Sequence, residues 1–161
     1  MKKNVLLTSL IVALLTLTST KLFAQENVFS LGGGLTYITE YESTGIYAKG
    51  VYQFNNRWAG AFTGTYYFED AVTFLGFDAD AHYAFYYNEE NLSVYGLFGL
   101  NLLTVSSEYF DSESALRVNL GVGLHYQLSE KISLVPELKY VVGSNEYVNY
   151  LAASIGLSFS F

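Results

Sequence analysis

Along residues 116–128 the chain reads LRVNLGVGLHYQL, and apolar side chains take every second position. Leu116, Val118, Leu120, Val122, Leu124, Tyr126 and Leu128 alternate with Arg117, Asn119, Gly121, Gly123, His125 and Gln127. A repeat of two belongs to an extended strand, whose successive side chains point to opposite faces. The same repeat runs through FDADAHYAFY, where Phe77, Ala79, Ala81, Tyr83 and Phe85 oppose Asp78, Asp80, His82, Ala84 and Tyr86. In ISLVPELKYVV, Ile132, Leu134, Pro136, Leu138 and Tyr140 oppose Ser133, Val135, Glu137 and Lys139. RWAGAFTGTYYF is less regular, and Trp58, Phe62, Tyr66 and Phe68 are assigned to its apolar face. The chain ends on YLAASIGLSFSF, with Leu151, Ala153, Ile155, Leu157, Phe159 and Phe161 against a row of small or hydroxylated residues.

Seven polar clusters separate such runs: TEYES 39–43, NNR 55–57, EDA 69–71, NEEN 88–91, SSEYFDSES 106–114, SEK 129–131 and GSNEY 143–147. Eight strands follow, each longer than the roughly five or six residues usual in globular proteins. Composition agrees with an all-β chain: 15 Tyr and 12 Phe favour pleated surfaces, and proline occurs once. Charged residues are 14% of the chain, against about 25% for an ordinary soluble domain.

Alternation alone permits two proteins of opposite polarity. A soluble lipocalin-like barrel lines a ligand cavity with its apolar row and needs a charged exterior. Here the less apolar row consists largely of Gly, Ser, Ala, Asn and Thr, which suits a crowded interior better than a solvated surface. The inverse arrangement, apolar outside and polar inside, is that of a barrel crossing a membrane. Closure leaves no strand edge unpaired in lipid, and the aromatic residues near strand ends suit interfacial girdles. The reading is therefore a closed eight-stranded antiparallel up-and-down transmembrane barrel, with the secreted soluble ligand-binding barrel as its rival.

The first 24 residues stand apart. Lys2 and Lys3 precede an apolar stretch over 5–17, and Ala24 followed by Gln25 offers a small-residue cleavage site, the plan of a secretory signal peptide. That stretch is too short to span a bilayer as a helix, which takes about 20 residues. Residues 25–161 suit one domain, and the absence of cysteine excludes a lipid-anchored lipoprotein and a disulfide scaffold. Removing Lys2, Lys3 and Lys21 leaves 5 basic against 15 acidic side chains, a net charge of −10. Such a chain does not hold nucleic-acid phosphates by counterion release.

The hairpins YQFNNRWAGAFTGTYYF and LHYQLSEKISLVPELKY, with Phe161 preceded at alternate positions by Ile155, Leu157 and Phe159, resemble the small eight-stranded outer-membrane β-barrels of Gram-negative bacteria, of the OmpX and OmpA-barrel type. The resemblance extends over residues 25–161. It implies a cell outer-membrane location in contact with outer-membrane lipid and lipopolysaccharide. It also implies that the assembly machinery recognises Ile155, Leu157, Phe159 and Phe161. Both termini then lie in the periplasm, with NNR, NEEN and SEK as periplasmic turns and the other four clusters as extracellular loops. Those loops hold Glu40, Glu42, Glu69, Asp70, Glu108, Asp111, Glu113 and Glu146 and no basic residue; the third, SSEYFDSES, is the one long enough for a contact site. Their spacing matches no calcium loop. Such barrels range from structural proteins and adhesins to lipid-modifying enzymes, so the resemblance names no surface partner.

The inward row carries Lys49, Asp78, Asp80, His82, Arg117, His125, Glu137 and Lys139. Leaving the histidines aside, three bases meet three acids, the balance that a low-dielectric interior demands. An eight-stranded barrel is just wide enough for its own side chains, so these groups are expected to form a lumen-filling polar network. A narrow channel past Lys49 and Arg117 and a lipid A-modifying enzyme are the rivals. Enzyme chemistry needs a nucleophile beside an oriented base. His125 belongs to no His-x-Ser pair beside an acid, and His82 has no Ser or Thr two positions away. Asp78, Asp80 and His82 spread over two pleat repeats, an awkward set for one metal ion. Gly32 to Gly34 lack the strand-turn-helix setting of a phosphate loop. No catalytic residue, cofactor or metal is expected.

Overall fold

The computed structural model describes residues 28–69, 73–88, 91–107, 110–143 and 149–161. The expected cleavage at Ala24 and Gln25 lies outside these residues, as do Asp70, Glu108 and Glu146. The strands are β1 (Phe29–Ile38), β2 (Ser43–Gln53), β3 (Trp58–Phe68), β4 (Thr73–Tyr87), β5 (Leu92–Ser107), β6 (Phe110–Gln127), β7 (Ile132–Gly143) and β8 (Tyr150–Ser160). No helix occurs among the described residues. Each strand pairs with its sequence neighbour, and β8 returns to β1 to close the barrel. That seam runs antiparallel from Ser30 opposite Ser160 to Ile38 opposite Ala152. Phe161 N–H donates to the Phe29 carbonyl at 3.0 Å, so the last residue is held beside the start of β1. We call this the termini end and the opposite end distal.

Alternation puts the apolar row outside. Phe62 is 60% and Leu120 54% exposed, whereas Asn119 is 0% and Arg117 4% exposed. An exterior of exposed Leu, Phe and Tyr belongs against hydrocarbon and is the opposite of the charged exterior that the rival soluble barrel needs. Aromatic pairs occur near both ends: Trp58 lies 4.8 Å from Tyr83, Tyr52 5.2 Å from Phe54 and Phe29 6.3 Å from Phe161 toward the termini end, and Tyr66 5.5 Å from Phe68 toward the distal end, centroid to centroid.

Two local expectations are corrected. SSEYFDSES is not a loop throughout: β5 runs to Ser107 and β6 starts at Phe110, pairing Thr104 with Ser114 and Val105 with Glu113. Thr104 and Ser114 share a hydroxyl hydrogen bond of 2.9 Å. Polarity misleads there because a strand that has left the hydrocarbon no longer needs an apolar row. Tyr86 was assigned to the lumen with Ala84, but the β4–β5 register slips between Ala84 and Tyr86. The extra residue turns Tyr86 outward opposite Val94, leaving it 52% exposed.

Candidate functional site

Strand geometry sets one inward side chain every second residue, so each charge in the lumen is delivered by a rigid backbone. β4 supplies Asp78, Asp80 and His82, β2 Lys49, and β7 Glu137 and Lys139, all nearly buried. The charges resolve into two clusters. In one, Lys49 forms an ion pair with Glu137 Oε2, and the Tyr95 hydroxyl donates to Glu137 Oε1 at 2.5 Å. In the other, Lys139 Nζ lies 3.0 Å from Asp78 Oδ2 and 3.5 Å from Asp80 Oδ2. Asn119 Nδ2 donates to both aspartates at 2.8 Å, and Asn101 Nδ2 to Asp78 at 2.7 Å. Two carboxylates facing one ammonium would repel each other; these amide donors spread their charge.

Room for the long side chains comes from glycine. Across the register, Gly32 faces Lys49, Gly99 faces Asp80, Gly121 faces Lys139 and Gly123 faces Glu137. A Cβ on Gly99 would overlap the Asp80 carboxylate, and one on Gly123 the Tyr95 ring. Tyr95, Asn101 and Asn119 are the members of the network that the inward-charge pattern does not single out. Neutral side chains in a strand carry no sign of which charge lies across the lumen.

Distal to the ionic layer the interior becomes apolar. Ile38, Tyr67, Leu103, Val141, Tyr150 and Ala152 form one buried cluster, with Phe74 and Val105 against it. Arg117 lies over the Tyr150 ring at 5.2 Å, at the edge of this cluster. Tyr41, beyond the end of β1, packs on Tyr150 and Phe74 at 6.0 and 6.3 Å. The void left between this cluster and the ionic layer is about 20 Å³. A signal existed in the apolar doublets Tyr37–Ile38, Tyr66–Tyr67, Leu102–Leu103 and Val141–Val142 near distal strand ends. Each doublet puts one apolar residue inside as well as one outside.

Toward the termini end the lumen is not filled. A cavity of about 460 Å³ is lined by Lys49, His82, Tyr95, His125 and the rim residues Arg57 and Trp58 among others. The polar network thus occupies one layer of the lumen, between an apolar cluster distal to it and an open space toward the termini. His82 stacks on Tyr95 at 4.7 Å and does not join Asp78 and Asp80, which turn to Lys139. Among the described residues no group of three or more metal-ligating side chains converges.

At the distal rim, outside the membrane-crossing strands, Glu40 ties the first loop to the closing seam. Its carboxylate accepts from the Thr39 hydroxyl and from Leu151 N–H, the latter at 2.8 Å. The Thr39 hydroxyl, then the Leu151 amide, hold the carboxyl below the usual glutamate value.

No family model matches the chain, and no curated protein sequence matches it. Solved structures do. The N-terminal β-barrel domain of Pseudomonas aeruginosa OprF is similar at a TM-score of 0.72 and 20% identity, over 84% of this chain and 98% of that one. Ail, the attachment invasion locus protein of Yersinia pestis, is similar at a TM-score of 0.61 and 21% identity, over 85% and 100%. A de novo designed transmembrane β-barrel is similar at 0.56 and 13%, over 87% and 100%. The chain thus has the fold of the small eight-stranded outer-membrane barrels. A designed sequence has the same fold, so the likeness carries architecture and no role.

Proposed function

We propose that the chain is an integral outer-membrane protein whose barrel is sealed to solutes and serves a structural or surface-contact role, with neither catalysis nor steady conduction. The observation that carries the reading is the pair of stacked seals inside the barrel, the ionic layer and the apolar cluster distal to it. A channel reading has to open both. A lipid A-modifying reading needs a base at the lipid-facing surface, and both histidines, His82 and His125, line the interior. In the proposed orientation the termini end faces the periplasm and the acidic distal rim, with Glu40, Glu42 and Glu113, meets lipopolysaccharide and the medium. Cleavage between Ala24 and Gln25 releases the barrel for assembly.

Expression in a Gram-negative host tests this reading. The protein is expected in the outer-membrane fraction, migrating faster in gels before boiling than after, with lipid A masses unchanged. Recovery as a soluble periplasmic protein without detergent, or a new lipid A species, contradicts it.

A further inference from the structure

We propose that the cavity at the termini end is a binding site for a small organic anion, a carboxylate or a phosphate monoester, whose acidic head rests against Lys49 and His82 at the blind floor. The site requires only the barrel and holds whether or not the distal rim has a surface partner.

The void is built. The cavity measures about 460 Å³, within the roughly 300–1,000 Å³ of small-ligand pockets, while the layer just distal to it is packed to about 20 Å³. Lys49 and Tyr47 line both spaces and so form the partition between them. Small side chains keep the wall thin, among them Ser30, Ala59, Ala84, Ser93 and Ser158.

Its charge runs against that of the chain. The sequence has 15 acidic and 8 basic residues, yet the described residues lining the cavity include Lys49 and, at the mouth, Arg57, whose guanidinium also donates to the Tyr83 hydroxyl at 3.1 Å, and no carboxylate. Glu137 stands behind Lys49, engaged by that ammonium and by the Tyr95 hydroxyl. Donors point the same way. His82 is 6% exposed, and its Nε2 has no hydrogen-bond partner in the protein, an arrangement that costs free energy until an outside group supplies one. An ammonium carries three N–H donors, of which Glu137 Oε2 takes one. The serine hydroxyls of the wall can donate to further oxygens of the same head group.

Binding is read by isothermal titration calorimetry, because the chain's one tryptophan, Trp58, packs on Tyr83 and Phe98 of the outward row. The chain from Gln25 onward, folded into phosphatidylcholine vesicles, is titrated with phenyl phosphate, benzoate, benzyl alcohol and benzylamine. Saturable binding of phenyl phosphate or benzoate is expected, the tighter of the two naming the head group, with the neutral and cationic analogues at least about tenfold weaker. His82→Leu should weaken the anion about tenfold, the scale of one hydrogen bond to a charged group. Arg57→Gln at the mouth should weaken it a few-fold, and decides the matter if His82→Leu does not fold. Absence of saturable binding, equal binding of benzyl alcohol, or wild-type affinity in the folded variants overturns the proposal.

Discussion

Glu137 is asked to hold an ammonium and a phenol at once, with 2% of its side chain exposed. Removing one partner of a buried ion pair leaves the other charge in a medium that cannot solvate it, a loss of about 3–5 kcal/mol, while replacing both with apolar groups is often near neutral. Lys49→Met and Glu137→Leu are each expected to destabilise the folded barrel on that scale in urea unfolding from vesicles. The double variant should lose clearly less than the two together; additive losses would show that the pair does not act as a unit. The inward placement of Asp78, Asp80 and Glu137 is legible in the alternation, because a period of two assigns faces without knowing the partner strand. What is not legible is who meets whom. Asn119 joins both aspartates from β6, and Gly123 makes room for Tyr95 from one strand away. Both facts depend on register and curvature summed around the barrel.

Strand lengths vary around the barrel: β1 spans 10 residues and β6 18, where a tilted membrane-crossing strand takes about 9–11. The surplus of β6 must stand outside the hydrocarbon, which explains why its distal stretch, FDSES, is polar and still a strand. An arginine walked along the outward row locates the boundary. Leu120→Arg, within the apolar band, should cost about 2–4 kcal/mol, and Ser114→Arg about 0–1 kcal/mol. Equal costs would mean that the distal hairpin lies in lipid or that Leu120 does not. β8 carries a second test. Phe161, just past β8, is 78% exposed and its ring stacks on Phe29, so its structural share is small. Deletion of Phe161 should leave folding into vesicles nearly unchanged while sharply reducing the folded protein in the outer membrane of living cells. Equal effects in both would make Phe161 a packing residue only. The strand count and polarity were readable because long alternating runs dominate this sequence. The bulge after Ala84 was not, since Phe85, Tyr86 and Tyr87 offer apolar rings to both faces.

At the scale of the whole molecule the interior divides into three storeys along the barrel axis. The inward row names residue types, but filling depends on how much volume eight strands deliver at one height. Distal doublets such as Leu102–Leu103 overfill their level with apolar groups, and serines and alanines underfill the termini end. In the proposed reading the ionic layer between them is a seal in series with the apolar cluster. Opening either one alone should not create a path: Lys49→Ala leaves Tyr67 and Tyr150 in place, and Tyr150→Ala leaves Lys139 bound to its aspartates. Planar-bilayer conductance of the folded protein tests the account most directly. Insertion without steady current is predicted for the wild type and for each single variant, with current appearing when both seals are removed. A steady, reproducible conductance step in the wild type would contradict it.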